Sequence, residues 1–156
     1  MRAKKSWREK LADDKGFPSV QPIDQTKSKR WGAGTFVIPA PREVDALMRR
    51  VSKGRVTTIE EIRIALARQH GATITCPLTT GIFAWIAANA AAEAEASGER
   101  VTTPYWRTLK AGGELNPKYP GGIEGLTQKL VAEGHEVVQR RKRAFVKDFE
   151  TRLLKF

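Results

Sequence analysis

The spacing of apolar residues changes several times along the 156-residue chain. From residue 41 to 51, Val44, Leu47, Met48 and Val51 fall at i, i+3, i+4 and i+7. That is one buried helical stripe, and Gly54 ends it. A second helix is predicted after it, capped by Thr57 or Thr58, whose hydroxyl can accept a free first-turn N–H. Glu60 and Glu61 stand in its first turn, where the helix dipole favours negative charge. Ile59, Ile62, Ala65 and Leu66 form its apolar face, and Gly71 closes it. A third helix is expected over about residues 77–96. Pro77 suits its first position, where a missing N–H leaves nothing unpaired, and Ser97-Gly98 stops it. A fourth spans residues 123–133, up to Gly134.

Strand signals are shorter. Residues 35–38 are an apolar run closed by Pro39, and residues 136–139 and 144–149 alternate as a hairpin across Arg140, Arg141, Lys142 and Arg143. Residues 102–122 are irregular, and the last residues suggest a helical turn. Residues 1–35 show little periodicity. One helix is predicted over residues 6–15, where Ser6 and Glu9 have capping-box spacing, and residues 27–32 look like a flexible arm carrying Trp31. Helix, turn, helix and a basic-tipped hairpin follow the order of a winged helix-turn-helix. The predicted class is therefore α+β. A basic N-terminal arm (1–35) precedes a winged-helix domain (36–135) and a wing-like basic hairpin (136–156).

Charge sharpens this division. The chain carries +11, yet residues 31–139 hold twelve Lys and Arg against eleven Asp and Glu. Residues 1–30 and 140–156 each carry +5. Basic end segments of this kind meet phosphates, with an affinity that depends on salt more than on sequence. A single cysteine, Cys76, excludes an internal disulfide and suits a reducing compartment. No apolar run approaches the ~20 residues that span a bilayer. Trp7-Arg8-Glu9-Lys10 follows Met1–Lys5 where a signal peptide would turn apolar. A cytoplasmic protein with no membrane partner is expected. His70 and His135 lack acidic or thiol neighbours at ligand spacing, so neither a metal site nor a cofactor is predicted.

Three pieces stand in order: Gly54-Arg55-Val56-Thr57-Thr58 before a helix, Thr103-Pro104-Tyr105-Trp106-Arg107 in a loop, and Tyr119-Pro120-Gly121-Gly122 before a helix ending Glu133-Gly134-His135. Over residues 36–135 this resembles the C-terminal domain of O6-alkylguanine DNA alkyltransferases, with their Pro-Cys-His-Arg, Tyr-x-Gly-Gly and Glu-Gly-His signatures. Tyr105 stands at the alkyl-accepting cysteine and Trp106 at the histidine that activates it. A phenol of pKa near 10 without an adjacent base is a poor nucleophile, so no enzyme activity is expected. The non-catalytic alkyltransferase-like proteins, which also lack the cysteine, are similar in kind.

The resemblance also implies roles. Thr80 stands at the arginine that replaces a flipped base, and Ile59 at a tyrosine that turns the phosphate. Asn89 matches a residue that helps hold the active-site loop, and Glu133 the acid that orients the histidine. Tyr119, Gly121 and Gly122 are expected to shape the wall of the former alkyl pocket, and Pro104 belongs to the structural motif. With no imidazole to orient, Glu133 is expected to be structural, as a partner of Arg107 or of a loop N–H. The predicted contacts to nucleic acid are Thr80, Tyr105, Trp106, Arg107, Tyr119, Arg140, Arg141, Lys142 and Arg143. One ring of Tyr105 and Trp106 is expected to be exposed for stacking and the other buried. No Lys or Arg lies between Arg68 and Arg100, which leaves a second reading open. In it, the helix over residues 79–92 docks a protein through Ile82, Phe83, Trp85 and Ile86, unless those side chains are core. The leading expectation is a DNA-binding protein that recognises alkylated or distorted bases in a duplex and works with a repair protein.

Overall fold

The computed structural model describes residues 4–156; Met1, Arg2 and Ala3, the start of the basic N-terminal segment, lie outside the described residues. In chain order the elements are α1 (Trp7–Ala12), β1 (Ser19–Pro22), α2 (Gln25–Trp31), β2 (Thr35–Ile38), α3 (Pro41–Arg49), β3 (Thr57–Thr58), α4 (Ile59–His70), β4 (Ile74–Thr75), α5 (Pro77–Ala96), β5 (Thr108–Leu109), α6 (Gly122–Ala132), β6 (Val137–Arg140) and β7 (Arg143–Val146). Short 3-10 turns cover Tyr105–Arg107, Ala111–Gly113 and Phe149–Arg152.

The centre is α5, packed by α3 and α4 on one side and by α1 on another. Val44 and Met48 of α3 and Ile62 and Leu66 of α4 are sealed against Phe83, Ala84, Ala87 and Ala88. The alanines let these helices approach closely. Thr58 caps α4 by accepting from the Glu61 N–H, and Gly71 ends it in the left-handed region. Ile59 and Ala65, expected on its buried face, pack against the core half-buried.

The N-terminal segment departs from expectation. Residues 25–31, which overlap the flexible arm predicted over 27–32, are helical. Asp24 caps α2 by accepting from the Lys27 N–H at 3.0 Å, and Trp31 packs on Phe36 with ring centres 5.1 Å apart. β1 was not predicted; it pairs antiparallel with β2 from Ser19↔Ile38 to Pro22↔Thr35. It is an edge strand, which is why Pro22 is tolerated there. α1 is shorter than the predicted 6–15, but its capping box forms: Ser6 Oγ accepts from the Glu9 N–H and the Glu9 carboxylate from the Ser6 N–H. The Trp7 and Arg8 amides also donate to the Glu93 carboxylate of α5, at 3.1 and 3.2 Å. The same carboxylate thus fills the start of one helix while belonging to another.

β2 continues parallel to β4, and β3 pairs parallel with β5. On β3's other side lies the end of the chain. Val56 N–H donates to the Arg152 carbonyl at 3.1 Å, and Leu154 N–H to the Val56 carbonyl at 2.7 Å. Thr57 Oγ1 donates to the Leu154 carbonyl and Arg55 Nη2 to that of Leu153. β6 and β7 form the expected hairpin, with Arg140 opposite Arg143 and Arg141 turning at φ 58°.

Candidate nucleic-acid interface

The loop read as the remnant of an alkyl-acceptor site is folded inward. Thr103 Oγ1 donates to buried Asp45 at 2.6 Å, and Pro104 leads into the 3-10 turn of Tyr105–Arg107. Tyr105 is buried, with its ring edge-on to Trp106 at 5.3 Å and to Tyr119 at 6.4 Å. Tyr119 is buried too. Burial pushes both phenols up from their ordinary value, and the charge of Glu95 adds to this at Tyr105. Both are therefore neutral near pH 7 and give no phenolate nucleophile. In this arrangement both rings, which stand among the expected contacts, pack inside the protein. Trp106 is half-buried, with Lys129 Nζ 4.5 Å from its ring centre and the Arg107 guanidinium at 5.3 Å.

Arg107 is fully engaged as well. Its Nε and Nη2 donate to the two Glu133 oxygens at 2.8 and 2.6 Å, and Nη1 donates to the Val51 carbonyl at 2.8 Å. It ties the loop to the end of α6 and to the end of α3, with three of its five N–H groups in these bonds. Burial alone would push the Glu133 carboxyl up; the Arg107 bonds and charge overcome this and hold it below its usual range. Gly121 and Gly122 start α6. Gly121 takes φ 86° and passes the Gly125 Cα so closely that a Cβ would stand 3.3 Å from it.

On α5, Thr80 is fully buried and its hydroxyl donates to the Cys76 carbonyl at 2.7 Å. It faces the core, although the resemblance sets it among the expected contacts. Asn89 Nδ2 donates to the Trp85 carbonyl one turn earlier, at 2.9 Å; this bond is local to the helix and holds no loop. Phe83 and Ile86 are core, but Leu78, Ile82 and Trp85, at i, i+4 and i+7, are 72%, 43% and 37% exposed. With Pro77, Asn116 and Lys118 they line an open groove. The sequence grouped Ile82 and Trp85 with Phe83 and Ile86 and passed over Leu78.

The hairpin tip carries accessible positive charge. Arg140, Arg141 and Lys142 are exposed and have no carboxylate partner among the described residues. Arg143 differs: Glu114 accepts from its Nε at 3.0 Å and its Nη2 at 2.8 Å. The Arg143 bonds in turn hold the Glu114 carboxyl below its ordinary range. Phe145 lies beside this cluster, with the Arg140 and Arg143 guanidinium groups 5.7 and 5.2 Å from its ring centre. Sequence reasoning missed Phe145, although it follows Arg143 at the two-residue spacing of a strand face. It missed Glu114 too, which no local pattern connects to residue 143.

His135 is buried behind Glu133, and its Nε2 finds no hydrogen-bond partner among the described residues. Burial pushes its pKa down from 6.5, as do the charges of Arg152 and Arg107, against the pull of Glu133. The unfolded chain therefore takes up this proton at a higher pH than the folded one. Stability should be full above pH 6.5 and fall as the pH drops below it, until the folded ring protonates too. Melting temperatures at pH 7.5 and 5.5 test this: a drop is expected, reduced in His135→Gln, and an undiminished drop in that variant would rule His135 out as its source. Among the described residues no group of three or more His, Cys, Asp or Glu is placed to hold a metal ion, and no helix is long and apolar enough to cross a membrane.

No protein-family model and no curated protein matches this sequence. Solved structures do. S. pombe ATL in complex with DNA superposes with a TM-score of 0.50 at 17% identity, covering 74% of this chain and 94% of that one. S. pombe Atl1 in complex with damaged DNA containing O6-carboxymethylguanine gives 0.48 at 16% identity, with the same coverage. The likeness to S. pombe ATL establishes the fold, which is α+β and alkyltransferase-like.

Proposed function

We propose that this protein is a non-enzymatic DNA-binding protein of the alkyltransferase-like kind, acting as a winged helix-turn-helix with the β6–β7 hairpin as its wing. The observation that carries this is the hairpin tip, where Arg140, Arg141 and Lys142 project from a paired turn with no carboxylate among the described residues to neutralise them. S. pombe ATL, which has the same fold, was solved in complex with DNA, which supports the reading. The absence of transfer chemistry follows from Tyr105, a buried neutral phenol where the resemblance places the acceptor thiol. Tyr105 and Tyr119 pack against one another in the space behind Trp106. Recognition of a distorted duplex therefore fits better than a base drawn into a cavity. A repair protein is the expected partner in that role, and the cytoplasm the expected compartment.

Exposed Leu78, Ile82 and Trp85 favour a second reading, in which α5 docks a protein and DNA binding is secondary. One experiment separates the two. Plain and O6-alkylguanine duplexes are titrated side by side at two salt concentrations, and intact mass is measured afterwards. DNA binding predicts an affinity that falls steeply with salt and a protein mass that does not change. A stable mass gain would overturn the non-enzymatic reading, and an affinity that is weak and indifferent to salt would move the docking reading ahead.

A further inference from the structure

Strand alternation gives the hairpin two faces. Ala144 and Val146 point into the core, while Arg143 and Phe145 point outward. Arg140, opposite Arg143 in the register, shares that outer face. The charges there have unequal duties. Glu114 meets the charge of Arg143 and fixes the plane of its guanidinium beside Phe145. Arg141 and Lys142, at the turn, keep their charge unmet among the described residues. Phe145 and the four basic side chains line an open concavity of about 580 Å³, inside the ~300–1,000 Å³ range of small-ligand sites.

A flat aromatic and guanidinium surface has little to gain from an intact duplex, whose bases are stacked on one another behind their phosphates. An unpaired base has a free face, and its stacking on an aromatic ring is tolerant of sequence. We propose that the outer face of the hairpin binds unpaired nucleotides, in single-stranded or locally opened DNA, with a base against Phe145 and Arg143 and phosphates on Arg141 and Lys142. This rests on the DNA-binding reading above and specifies which form of DNA the wing engages.

The test is fluorescence anisotropy of the full chain with a labelled oligothymidylate and, separately, a blunt duplex of equal length. Phe145→Leu is expected to weaken single-strand binding by about 5- to 100-fold while duplex affinity holds. Phe145→Trp, which keeps a ring, should retain single-strand binding. Neutralising Arg141 and Lys142 should lower the single-strand salt slope by about 1.4, at ~0.7 per phosphate. A Phe145→Leu chain of unchanged melting temperature and unchanged single-strand affinity overturns the proposal, as does equal weakening toward both forms. If Phe145→Leu does not fold, a folded Phe145→Trp chain that has lost single-strand binding overturns it alone. Binding of the duplex without the single strand sinks this platform and leaves DNA binding standing; failure to bind either at low salt sinks the DNA-binding reading itself.

Discussion

Glu133→Ala is expected to destabilise the protein by about 3–5 kcal/mol, the effect of leaving one partner of a buried ion pair uncompensated. The Arg107 and Glu133 side chains are only 14% and 9% exposed. Without the carboxylate, the Arg107 guanidinium keeps only its bond to the Val51 carbonyl. For a chain of this length that is a fall of about 6–20 °C in melting temperature. The pair as such need not stabilise the fold by that amount. The double variant Arg107→Met/Glu133→Leu removes both charges together, and it should recover most of the loss, because apolar side chains of similar volume replace buried ion pairs at little net cost. Thermal melts of the single and double variants settle it. A single variant that melts like the wild type would show that the guanidinium finds water, and that the loop 103–107 is not fixed by this bond.

The second large effect concerns the tip. Replacing Arg140, Arg141 and Lys142 by Gln should lower the slope of log affinity against log salt for duplex DNA by about 2.7, at ~0.9 per lost phosphate contact. Near 0.1 M salt this corresponds to a loss of about 100- to 1,000-fold in affinity. The melting temperature should hold, since these side chains are exposed and have no carboxylate partner among the described residues. Arg143→Gln alone should change the slope far less, because Glu114 already holds that charge. A triple variant with an unchanged slope would mean that the hairpin points away from the DNA.

Sequence patterns located α5 well because its ends are written locally, by Pro77 at one end and Ser97-Gly98 at the other. The helix pair and the hairpin were legible for the same reason. β1 was not, since Ser19–Pro22 has a single apolar residue and is strand only because β2 lies beside it. Nor was α2, whose Trp31 finds Phe36 only through tertiary packing. The burial of Thr80 was hidden for a different reason. Alignment by resemblance put it at a DNA contact, whereas helical phase puts it on the face of Phe83, Ala84 and Ala87, which is core. The Arg107–Glu133 pairing could be named as one of two options from the sequence; the further bond to Val51 could not.

The strap that residues 152–154 lay along Val56 and Thr57 sets an order of events during synthesis. Helices α3, α4 and α5 are close in sequence and can associate while the chain is still being made at ~5–20 residues per second. The segment entering α4 cannot, because its free edge is closed by residues made almost a hundred positions later. Until they arrive, β3 has only β5 beside it, and its outer N–H and C=O groups face water. The entry to the helix pair therefore gains its second neighbour only once residues 152–154 have been made.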